Sequence, residues 1–377
     1  MDRSFFCYGV YLFATCVAIS YALSCSYKES QILLVSKSAA AATCAAVSFG
    51  SNCIYSYQKH DRIGCGSFGT VYKAKIRFRG DFRGPDDVAV KELYLRGKIN
   101  PGPNINGTTT GEQAMARRWI TLLSLKHKNV IGYYKITMQQ VAKGMLIELM
   151  MDYLPDGDLA DMIACLTSSF QTLSLCNLVD FSQQIAEGVN YLHSNGIIHG
   201  DLKPANILLK RSAKSSDAYS LHIGDLDDVI FMQDSQTLTK DITRLYGTAR
   251  YTSPEMAATF VAHNTVDARP GRKTDIWSLG CIMLDLVDCH TGNAEKWLHR
   301  HGTAQRLRID KMKDNCILFH IADGFVPLIT HCVNQDITGI IEKCFCMDSS
   351  NRVNAAALVT SLKRIQLPIN GEIDFSS

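Results

Sequence analysis

The order of two hydrophobic periodicities is the feature of this sequence that most limits its fold. From Tyr72 to Phe78 apolar and charged residues alternate, as in a strand with one face in water. Helical spacing follows in two later segments, at Phe181, Ile185, Val189 and Leu192 and at Ile276, Leu279, Met283 and Leu286. Strands therefore precede helices, which predicts an α+β fold with a small N-terminal β-sheet lobe and a larger helical C-terminal lobe.

Length and charge narrow the class of protein further. The chain has 377 residues, enough for a two-lobed unit of about 250–300 residues with additional segments. Its net charge is only +3, which gives no long-range electrostatic reason to expect a nucleic acid partner. We therefore expect none, and the sequence leaves the oligomeric state open.

The cysteine pattern bears on redox chemistry and metal binding. Fourteen cysteines are present, none in a C-x-x-C pair, and Cys344 and Cys346 are separated by one residue. That spacing does not match the usual zinc sites. We expect scattered, mostly buried, reduced thiols. A disulfide framework is the alternative, but it fits poorly with a chain whose core is large enough without such cross-links.

The first 27 residues form an apolar N-terminal segment. Residues 5–23 are nearly all apolar, and nineteen helical residues would rise about 28 Å, close to the ~30 Å hydrocarbon core of a bilayer. This pattern predicts membrane association, and Lys28 and Lys37 favour a cytoplasmic location for the chain that follows. Two alternatives stay open. Ala22-Leu23-Ser24 resembles a signal-peptide cleavage site, and the segment is otherwise a buried helix or a wrongly assigned first exon.

Composition divides the rest of the chain. Residues 28–56 are predicted to form a linker, because the stretch from Ser38 to Tyr57 is uncharged and Ala-rich but carries Ser, Thr and Asn. We interpret that stretch as a linker or weak helix and not as a membrane span. A folded domain is predicted over residues 57–366, with a long loop near residues 95–111, and residues 367–377 form a C-terminal tail.

A glycine-rich motif opens the folded domain. Gly64-Cys65-Gly66-Ser67-Phe68-Gly69-Thr70-Val71 matches the pattern G-x-G-x-x-G-x-V. Glycines allow backbone N–H groups to approach phosphate oxygens without interference from a Cβ atom. A dinucleotide-binding turn has similar glycines but opens a helix, whereas a strand pattern follows Gly69. Phosphate binding is therefore predicted, with an ordinary glycine-rich turn as the alternative.

A lysine follows on the next predicted strand. Lys91 lies 22 residues beyond Gly69, at the end of Val88-Ala89-Val90-Lys91. A lysine on an apolar strand is often an exposed edge residue. After a glycine-rich loop it becomes a candidate to hold the phosphates of ATP.

The segment from His199 to Leu209 carries the strongest chemical signal. Asp201, Lys203 and Asn206 lie within six residues, between an amphipathic helix pattern and the apolar Ile207-Leu208-Leu209. Phosphoryl transfer needs a carboxylate to orient the attacking hydroxyl, a cation to offset phosphoryl charge, and oxygens to hold Mg²⁺. These three residues supply one of each. A polar turn between helix and strand is the structural alternative.

A second acid completes the predicted metal site. Asp225 follows Leu221-His222-Ile223-Gly224, nineteen residues after Asn206. An acid just past a short strand is often only a turn former. Together with Asn206, however, Asp225 provides a pair of hard oxygen ligands suited to Mg²⁺.

The motifs together resemble the eukaryotic protein kinase superfamily, Ser/Thr type, over residues 57–366. The resemblance implies a two-lobed fold, ATP and Mg²⁺ as cofactors, and protein substrates. It assigns Asp201 as catalytic base, Lys203 to the γ-phosphate, Asn206 and Asp225 to the metal, and Met151 as gatekeeper. The implied ATP-binding residues are Ile63, Gly64, Cys65, Gly66, Ser67, Phe68, Gly69, Thr70, Val71, Ala89, Lys91, Met151, Asp152, Leu154 and Asp158.

Further motifs support the resemblance outside the ATP site. Ser253-Pro254-Glu255 is similar to the A-P-E motif, and Arg352 matches its ion-pair partner. The run Asp275-Ile276-Trp277-Ser278-Leu279-Gly280 is similar to the helix that braces the catalytic loop. Lys203 and the pair Gly247-Thr248 are typical of Ser/Thr kinases.

Gly200 departs from the family pattern, because it replaces the arginine of H-R-D. In the family that arginine holds a phosphorylated activation loop, and its absence removes the guanidinium fork. We therefore expect little dependence on phosphorylation of Thr237, Thr239 and Thr243. Leu226 and Asp227 replace the last two residues of D-F-G, and Asp227 lacks the freedom of glycine at positive φ.

Arg118 is the departure that bears most on activity. Counting back from His127-Lys128-Asn129-Val130 places Arg118 where the family has the helix glutamate that pairs with the ATP lysine. Glu112, the nearest upstream acid, is six residues away and on a different helix face.

An active Ser/Thr kinase is the leading hypothesis, and a pseudokinase that acts as an ATP-binding scaffold is the first alternative. A small-molecule phosphotransferase would not be expected to carry Ser253-Pro254-Glu255 with Arg352.

Overall fold

The structure is a computed structural model that describes most of the folded domain. The described residues are 32–35, 46–50, 56–66, 69–78, 84–96, 111–141, 144–212, 218–232, 248–262, 270–292, 298–301, 305–309, 312–329 and 334–366. Residues 5–23, for which membrane association was predicted, lie outside these ranges. Within the described ranges, no helix combines the length and apolarity needed to cross a bilayer.

The chain forms two compact units, one based on a sheet and one mainly helical. Unit 1 comprises Met1–Lys126 and Ile131–Tyr153, and unit 2 comprises His127–Val130 and Leu154–Ser377. The sheet of unit 1 has the order β1-β2-β6-β7-β5-β4-β3. Its strands are β1 Ile32–Val35, β2 Ala46–Gly50, β3 Ser56–Gly66, β4 Gly69–Phe78, β5 Asp87–Arg96, β6 Tyr133–Val141 and β7 Gly144–Asp152. The predicted two-lobed α+β kinase fold is therefore confirmed.

Two short strands lie inside the segment that the sequence predicted as a linker. β1 and β2 form an antiparallel pair, and β2 also pairs with β6, from Ala46 opposite Gln139 to Gly50 opposite Lys135. The uncharged stretch therefore extends the sheet at this end. β-branched and aromatic residues at Val47 and Phe49 are compatible with a strand, whereas composition alone had suggested a linker or weak helix.

One face of the central strands packs as a compact apolar cluster. Ala74, Val88, Val90 and Met150 are buried together on neighbouring strands. Because Val88 and Val90 are two residues apart, the intervening Ala89 and the following Lys91 belong to the opposite face. Helix α1, Gly111–Ser124, also belongs to unit 1 and buries Leu122 and Trp119.

One helix of unit 2 is buried along nearly its whole length. The helices of this unit are α2 Leu159–Ser168, α3 Leu175–Ser194, α4 Pro254–Val261, α5 Arg272–Thr291, α6 Asp314–Ala322, α7 Gln335–Cys344 and α8 Ala355–Leu362. The helical periodicities predicted within α3 and α5 are present, and their apolar residues are buried. In α5, however, all sixteen residues from Thr274 to Cys289 are buried, so this helix is covered on every face.

A buried arginine joins three segments of unit 2. The Arg352 guanidinium donates to both carboxylate oxygens of Glu255, at 2.9 and 3.0 Å, and to the carbonyl oxygens of Lys273 and Cys346. It also lies 5.2 Å from the ring centroid of Trp277. Burial would raise the pKa of the Glu255 carboxyl, but the hydrogen bonds and charge of Arg352 lower it. The predicted pairing of Arg352 with Glu255 is therefore present.

An ion-pair network ties α3 to neighbouring segments. The Glu187 carboxylate, on α3, lies 2.8 Å from Lys128 Nζ and 3.0 Å from Lys363 Nζ. Burial would raise the pKa of the Glu187 carboxyl, but hydrogen bonds from Lys128, Lys363 and Gln183 lower it to about 2.

Side chains of α3 and the 127–130 loop also fix the strand that leads to Asp225. The first strands of unit 2 are β8 Ile197–Ile198, β9 Ile207–Arg211, β10 Tyr219–Ile223 and β11 Ile230–Phe231. β10 pairs with β9, and β11 pairs with β8. Gln184 Oε1 accepts from Leu221 N and from Asn129 Nδ2, while Asn129 Nδ2 also donates to the Leu221 carbonyl. The backbone of Ile223 donates to the carbonyl of Asn129 at 2.9 Å. This network holds β10 against α3.

The approach of α3 to this strand requires a residue without a side chain. A Cβ atom at Gly188 would lie 2.7 Å from the Asn129 carbonyl oxygen and 2.7 Å from Ile223 Cδ1. Asn129 lies in the 127–130 loop and Ile223 lies in β10. A side chain at Gly188 would therefore push α3 away from this loop and strand.

Gly188→Ala is expected to lower the free energy of unfolding by about 1–3 kcal/mol, because the added methyl group overpacks this contact. Gly339→Ala, in α7, is the matched control, since a Cβ atom there meets nothing within 4 Å. In the control, better helix propensity should raise stability by about 0.5–1 kcal/mol. Chemical denaturation followed by circular dichroism measures both, and equal shifts in the two variants would contradict the packing argument.

Candidate active site

The predicted catalytic residues of unit 2 come together in one loop and the turn after it. Lys203 Nζ lies 2.6 Å from Asp201 Oδ2, and Asn206 Nδ2 donates to the Asp201 carbonyl at 2.7 Å. Asn206 ends a 3₁₀ turn, Pro204–Asn206, that leads directly into β9. Thr248 Oγ1 donates to Asp201 Oδ1 over a longer distance of 3.4 Å. The carboxylate of Asp201 thus has a cation and a hydroxyl group beside it.

A buried aspartate on α5 holds the backbone before the candidate base. Asp275, 1% exposed, accepts hydrogen bonds from His199 N at 2.9 Å and from Gly200 N at 2.8 Å. Its Oδ2 also lies 2.8 Å from His193 Nε2. Because the carboxylate can only accept, His193 donates through Nε2. Three donors therefore satisfy the buried charge and fix the loop.

The imidazole of His199 connects the catalytic loop to the segment that carries Asp225. His199 Nδ1 accepts from Asp201 N at 3.3 Å, and His199 Nε2 lies 2.9 Å from the Gly224 carbonyl oxygen. This pair of partners requires the tautomer with hydrogen on Nε2. His199 thus links the backbone of Asp201 to the backbone of Gly224, the residue before Asp225.

Gly200 occupies a backbone conformation that suits glycine. Its φ is +78°, in the left-handed region. A Cβ atom there would make only an ordinary contact with Ile230 Cδ1, at 3.7 Å. Replacement of the family's arginine by glycine therefore removes a guanidinium and also relieves backbone strain next to Asp201.

The two candidate metal ligands are linked through the backbone. Gly224 N, next to Asp225, donates to the Asn206 carbonyl at 2.8 Å. Since Asn206 Nδ2 is occupied by the Asp201 carbonyl, the amide is oriented so that Oδ1 is its remaining ligand atom. An amide oxygen and a carboxylate are the hard donors that Mg²⁺ prefers. The residues present therefore fit this ion.

The residue with unusual backbone geometry in this segment is Asp225 and not Asp227. Asp225 has φ 58° and ψ 47°, whereas Asp227 lies in a 3₁₀ turn, Leu226–Asp228, without positive φ. Leu226 is fully buried. The replacement of glycine by Asp227 consequently does not demand a left-handed aspartate at that position. Aspartate tolerates this conformation better than most residues, which accommodates Asp225.

Four of the ATP-site residues predicted in unit 1 share one face of its sheet. The register places Val71 opposite Lys91, Lys91 opposite Leu149, and Ala89 opposite Met151. Opposite residues and residues two apart on a strand lie on the same face. Lys91 is 9% exposed and Met151 8% exposed. Val71, Ala89, Lys91 and Met151 therefore line a single, largely buried surface of the sheet.

The glycine-rich motif is a tight antiparallel hairpin. Gly64 pairs with Val71, Cys65 with Thr70, and Gly66 with Gly69. The predicted strand after Gly69 is present as β4, which distinguishes the motif from a dinucleotide-binding turn. Ile63, just before it, is exposed. Ser67 and Phe68, between Gly66 and Gly69, lie outside the described residues, as do the candidate sites Thr237, Thr239 and Thr243.

The carboxylates of Asp152 and Asp158 make local structural contacts. Asp152 Oδ2 accepts from Gly132 N at 2.8 Å, and Asp152 Oδ1 accepts from Tyr134 Oη. Asp158 caps α2 by accepting from Asp161 N at 2.9 Å. Leu154, half-buried, lies between these two positions at the start of unit 2. Both carboxylates are thus oriented by neighbouring backbone.

Arg118 lies in the middle of α1. The sequence of α1 contains one acid, Glu112, at the second residue of the helix. Within this helix, Arg118 lies six residues after Glu112. Arg118 itself is half-buried.

Two buried polar contacts of unit 2 were not identified from the sequence. His193 is the main example, because it lies among the buried residues of the amphipathic helix α3 and donates to Asp275. A polar residue at a buried helical position was the available signal. Tyr251 is another, since its hydroxyl donates to the buried Asp285 at 2.9 Å. Burial, and then the charge of Asp285, raise the pKa of Tyr251 well above its ordinary value.

Comparison with known proteins agrees with this geometry. The family profile described as "Protein kinase domain" matches residues 57–362. The chain belongs to the protein kinase family.

Several curated kinases resemble the chain at low identity. Serine/threonine-protein kinase SSK22 of Saccharomyces cerevisiae is 26% identical over 323 residues, covering 82% of this chain and 21% of that protein. Mitogen-activated protein kinase kinase kinase A of Dictyostelium discoideum is 24% identical over 304 residues, covering 80% and 27%. Human serine/threonine-protein kinase ULK1 is 30% identical over 243 residues, covering 64% and 20%. The chain thus spans about a fifth to a quarter of these relatives.

Asp275→Asn is expected to destabilise the catalytic loop, because an amide NH₂ group then faces backbone donors. Losing a hydrogen bond to a buried charge costs about 1.5–3 kcal/mol. Hydrogen exchange at the His199 and Gly200 amides should accelerate, and the thermal midpoint should fall. Asp323→Asn, at an exposed acid of unit 2, is the control. Unchanged exchange at both amides in Asp275→Asn would contradict the proposed anchoring.

Proposed function

We propose that this chain is an active Ser/Thr protein kinase that transfers the γ-phosphoryl group of ATP to hydroxyl groups of protein substrates. The observation that carries the proposal is the arrangement of Lys203 and Asn206 around Asp201. Membership in the protein kinase family supports the reaction class. The names of the relatives support the Ser/Thr type.

Asp201 is proposed to orient the substrate hydroxyl and to accept its proton at the carboxylate. Lys203, 2.6 Å from that carboxylate, offsets negative charge on the phosphoryl group in flight. Asn206 Oδ1 and the Asp225 carboxylate are the proposed Mg²⁺ ligands, and the ion when bound neutralises charge on the phosphates. Lys91 is proposed to bind the α- and β-phosphates.

Adenine and ribose are proposed to contact residues that the family pattern assigns. Ala89 and Met151 lie opposite each other on the same sheet face as Lys91, so an apolar surface borders the lysine. The side chain of Asp152 is held by Gly132 and Tyr134, and its backbone N–H donates to the Gly132 carbonyl at 3.0 Å. The proposed backbone contact of Asp152 with adenine is therefore made by its carbonyl oxygen. Leu154 is proposed to provide the second backbone contact.

The alternative function is a pseudokinase that binds ATP as a scaffold or interaction module. Arg118 on α1 favours it, because an arginine near Lys91 would repel the ammonium group and not fix it. The retained Asp201, Asn206 and Asp225 favour an active enzyme. Activity is therefore the leading proposal.

We also propose a cytoplasmic location for the kinase domain, with association to a membrane through residues 5–23. The proposal rests on the uncharged, apolar character of those residues and on Lys28 and Lys37 after them.

Asp201→Asn is expected to lower phosphate transfer to dephosphorylated casein by about 10²–10⁴-fold, because the base is removed. Binding of a fluorescent ATP analogue should persist, since the phosphate-binding residues are unchanged. Asp161→Asn, at an exposed acid of α2, should retain transfer. Wild-type protein that binds the analogue with Mg²⁺ but transfers no phosphate would instead support the pseudokinase.

Simultaneous replacement of Thr237, Thr239 and Thr243 by alanine is expected to leave most of the transfer activity. The physical reason is that Gly200 provides no guanidinium fork for a phosphorylated loop. Initial rates of casein phosphorylation, compared between this variant and wild type, measure the effect. Abolished activity in a variant that still binds the ATP analogue would show that the expectation is wrong.

A further inference from the structure

A ring of hydrogen bonds holds the last residue of β7 against Gly132, which directly precedes β6. Gly132 N donates to Asp152 Oδ2 at 2.8 Å, and Asp152 N donates to the Gly132 carbonyl oxygen at 3.0 Å. The two residues therefore bond to each other in both directions. A Cβ atom at Gly132 would lie 2.9 Å from Asp152 Oδ2, so a side chain there would displace the carboxylate.

A tyrosine holds the second carboxylate oxygen of Asp152. Tyr134 Oη donates to Asp152 Oδ1, and the partly buried Tyr134 packs against the apolar cluster of unit 1 that includes Val88 and Met150. Burial, and then the hydrogen bond to Asp152, raise the pKa of the Tyr134 hydroxyl above its ordinary value. The hydroxyl therefore keeps its proton at neutral pH and remains a donor. Both carboxylate oxygens are thus held by groups that the sheet fixes in place.

These contacts restrict the backbone of Asp152 as well as its side chain. A residue has two soft backbone dihedrals, φ and ψ. The hydrogen bond from Asp152 N fixes one substituent of the Cα atom, and the bonds to the carboxylate restrain a second. Because Cα is tetrahedral, the direction of its carbonyl carbon is then set, and rotation about ψ is the remaining freedom of the carbonyl oxygen.

A carbonyl group held in one direction can discriminate between purines. Adenine carries an amino group, which is a donor, at the position where guanine carries a carbonyl oxygen, which is an acceptor. A fixed carbonyl oxygen accepts from adenine but faces a second acceptor in guanine, and an unsatisfied buried acceptor costs about 1–3 kcal/mol. A carbonyl group that can turn away avoids part of this cost. Purine discrimination therefore depends on how firmly Asp152 is held.

We propose that Tyr134 is a positioning residue for nucleotide selection, which acts through the Asp152 carboxylate to favour ATP over GTP. The inference rests on the proposed function, because the contact of the Asp152 carbonyl oxygen with adenine belongs to that proposal. The structural alternative is that Tyr134 only joins β6 to the end of β7. Such a join would affect both nucleotides equally, whereas a positioning role changes the ratio of their affinities.

Tyr134→Phe tests the proposal, because it removes the hydroxyl and keeps the ring in the apolar cluster. Binding of ATP and GTP, both carrying the same fluorescent group on the ribose, is measured with Mg²⁺ and the full chain. The ratio of the GTP to the ATP dissociation constant should fall about threefold or more, the effect of losing one hydrogen bond. Tyr94→Phe is the matched control, since Tyr94 lies on β5 and is 46% exposed. It should keep the wild-type ratio.

A double variant shows whether Tyr134 acts through Asp152. Asp152→Ala removes both bonds to the carboxylate but keeps the backbone carbonyl group, so the ratio should fall at least as far as in Tyr134→Phe. Adding Tyr134→Phe to Asp152→Ala should change the ratio little further, because the hydroxyl has already lost its acceptor. Effects on the ratio that add in full would contradict the assigned route.

The outcomes separate this inference from the proposed function on which it rests. An equal loss of affinity for both nucleotides in Tyr134→Phe, or no loss for either, would overturn the positioning role alone. Wild-type protein that binds ATP and GTP equally would have the same meaning. Wild-type protein that binds neither nucleotide would overturn the proposed ATP site together with this inference. Binding is measured without phosphate transfer, so the result also holds for a pseudokinase.

Discussion

The carboxylate of Asp275 is the constraint on which the candidate site most depends. It is buried on α5 and accepts from His193, His199 and Gly200. A buried charge is tolerated only when its partners satisfy it, so the loop must keep the geometry that aims these donors at α5. That requirement positions Asp201 directly after the anchored backbone. The buried apolar residues of α5 stabilise the helix. Asp275, which lies among them, holds the backbone that leads to Asp201.

Arg352 is a second buried charge of unit 2 that is satisfied by its hydrogen-bond partners. Its five hydrogen bonds satisfy every guanidinium donor, and the Trp277 ring lies beside it. The pairing joins Glu255, at the start of α4, to the segment before α8. Buried charges in this unit therefore connect parts of the chain that are distant in sequence. A buried charge has lost its hydration, so it must be hydrogen-bonded to a protein partner.

The three departures from the family pattern, at Gly200, Asp227 and Arg118, differ in their structural consequences. Gly200 relieves backbone strain beside Asp201, and Asp227 meets no conformational demand because Asp225 takes the left-handed geometry. Sequence comparison could not settle the second point, since φ depends on the path of the whole segment. At the third departure, the sequence of α1 contains Arg118 and a single acid, Glu112, six residues earlier.

Local sequence was sufficient to predict the order of strands and helices, the strand after the glycine-rich motif and the cluster around Asp201. These features depend on residue periodicity and on neighbours within a few positions, which local sequence encodes. Tertiary structure decided which distant residues meet: His193 with Asp275, Gln184 with β10, and the strand pairing of β2 within a segment of linker-like composition. Local sequence could not predict these contacts, because register and burial depend on partners far along the chain.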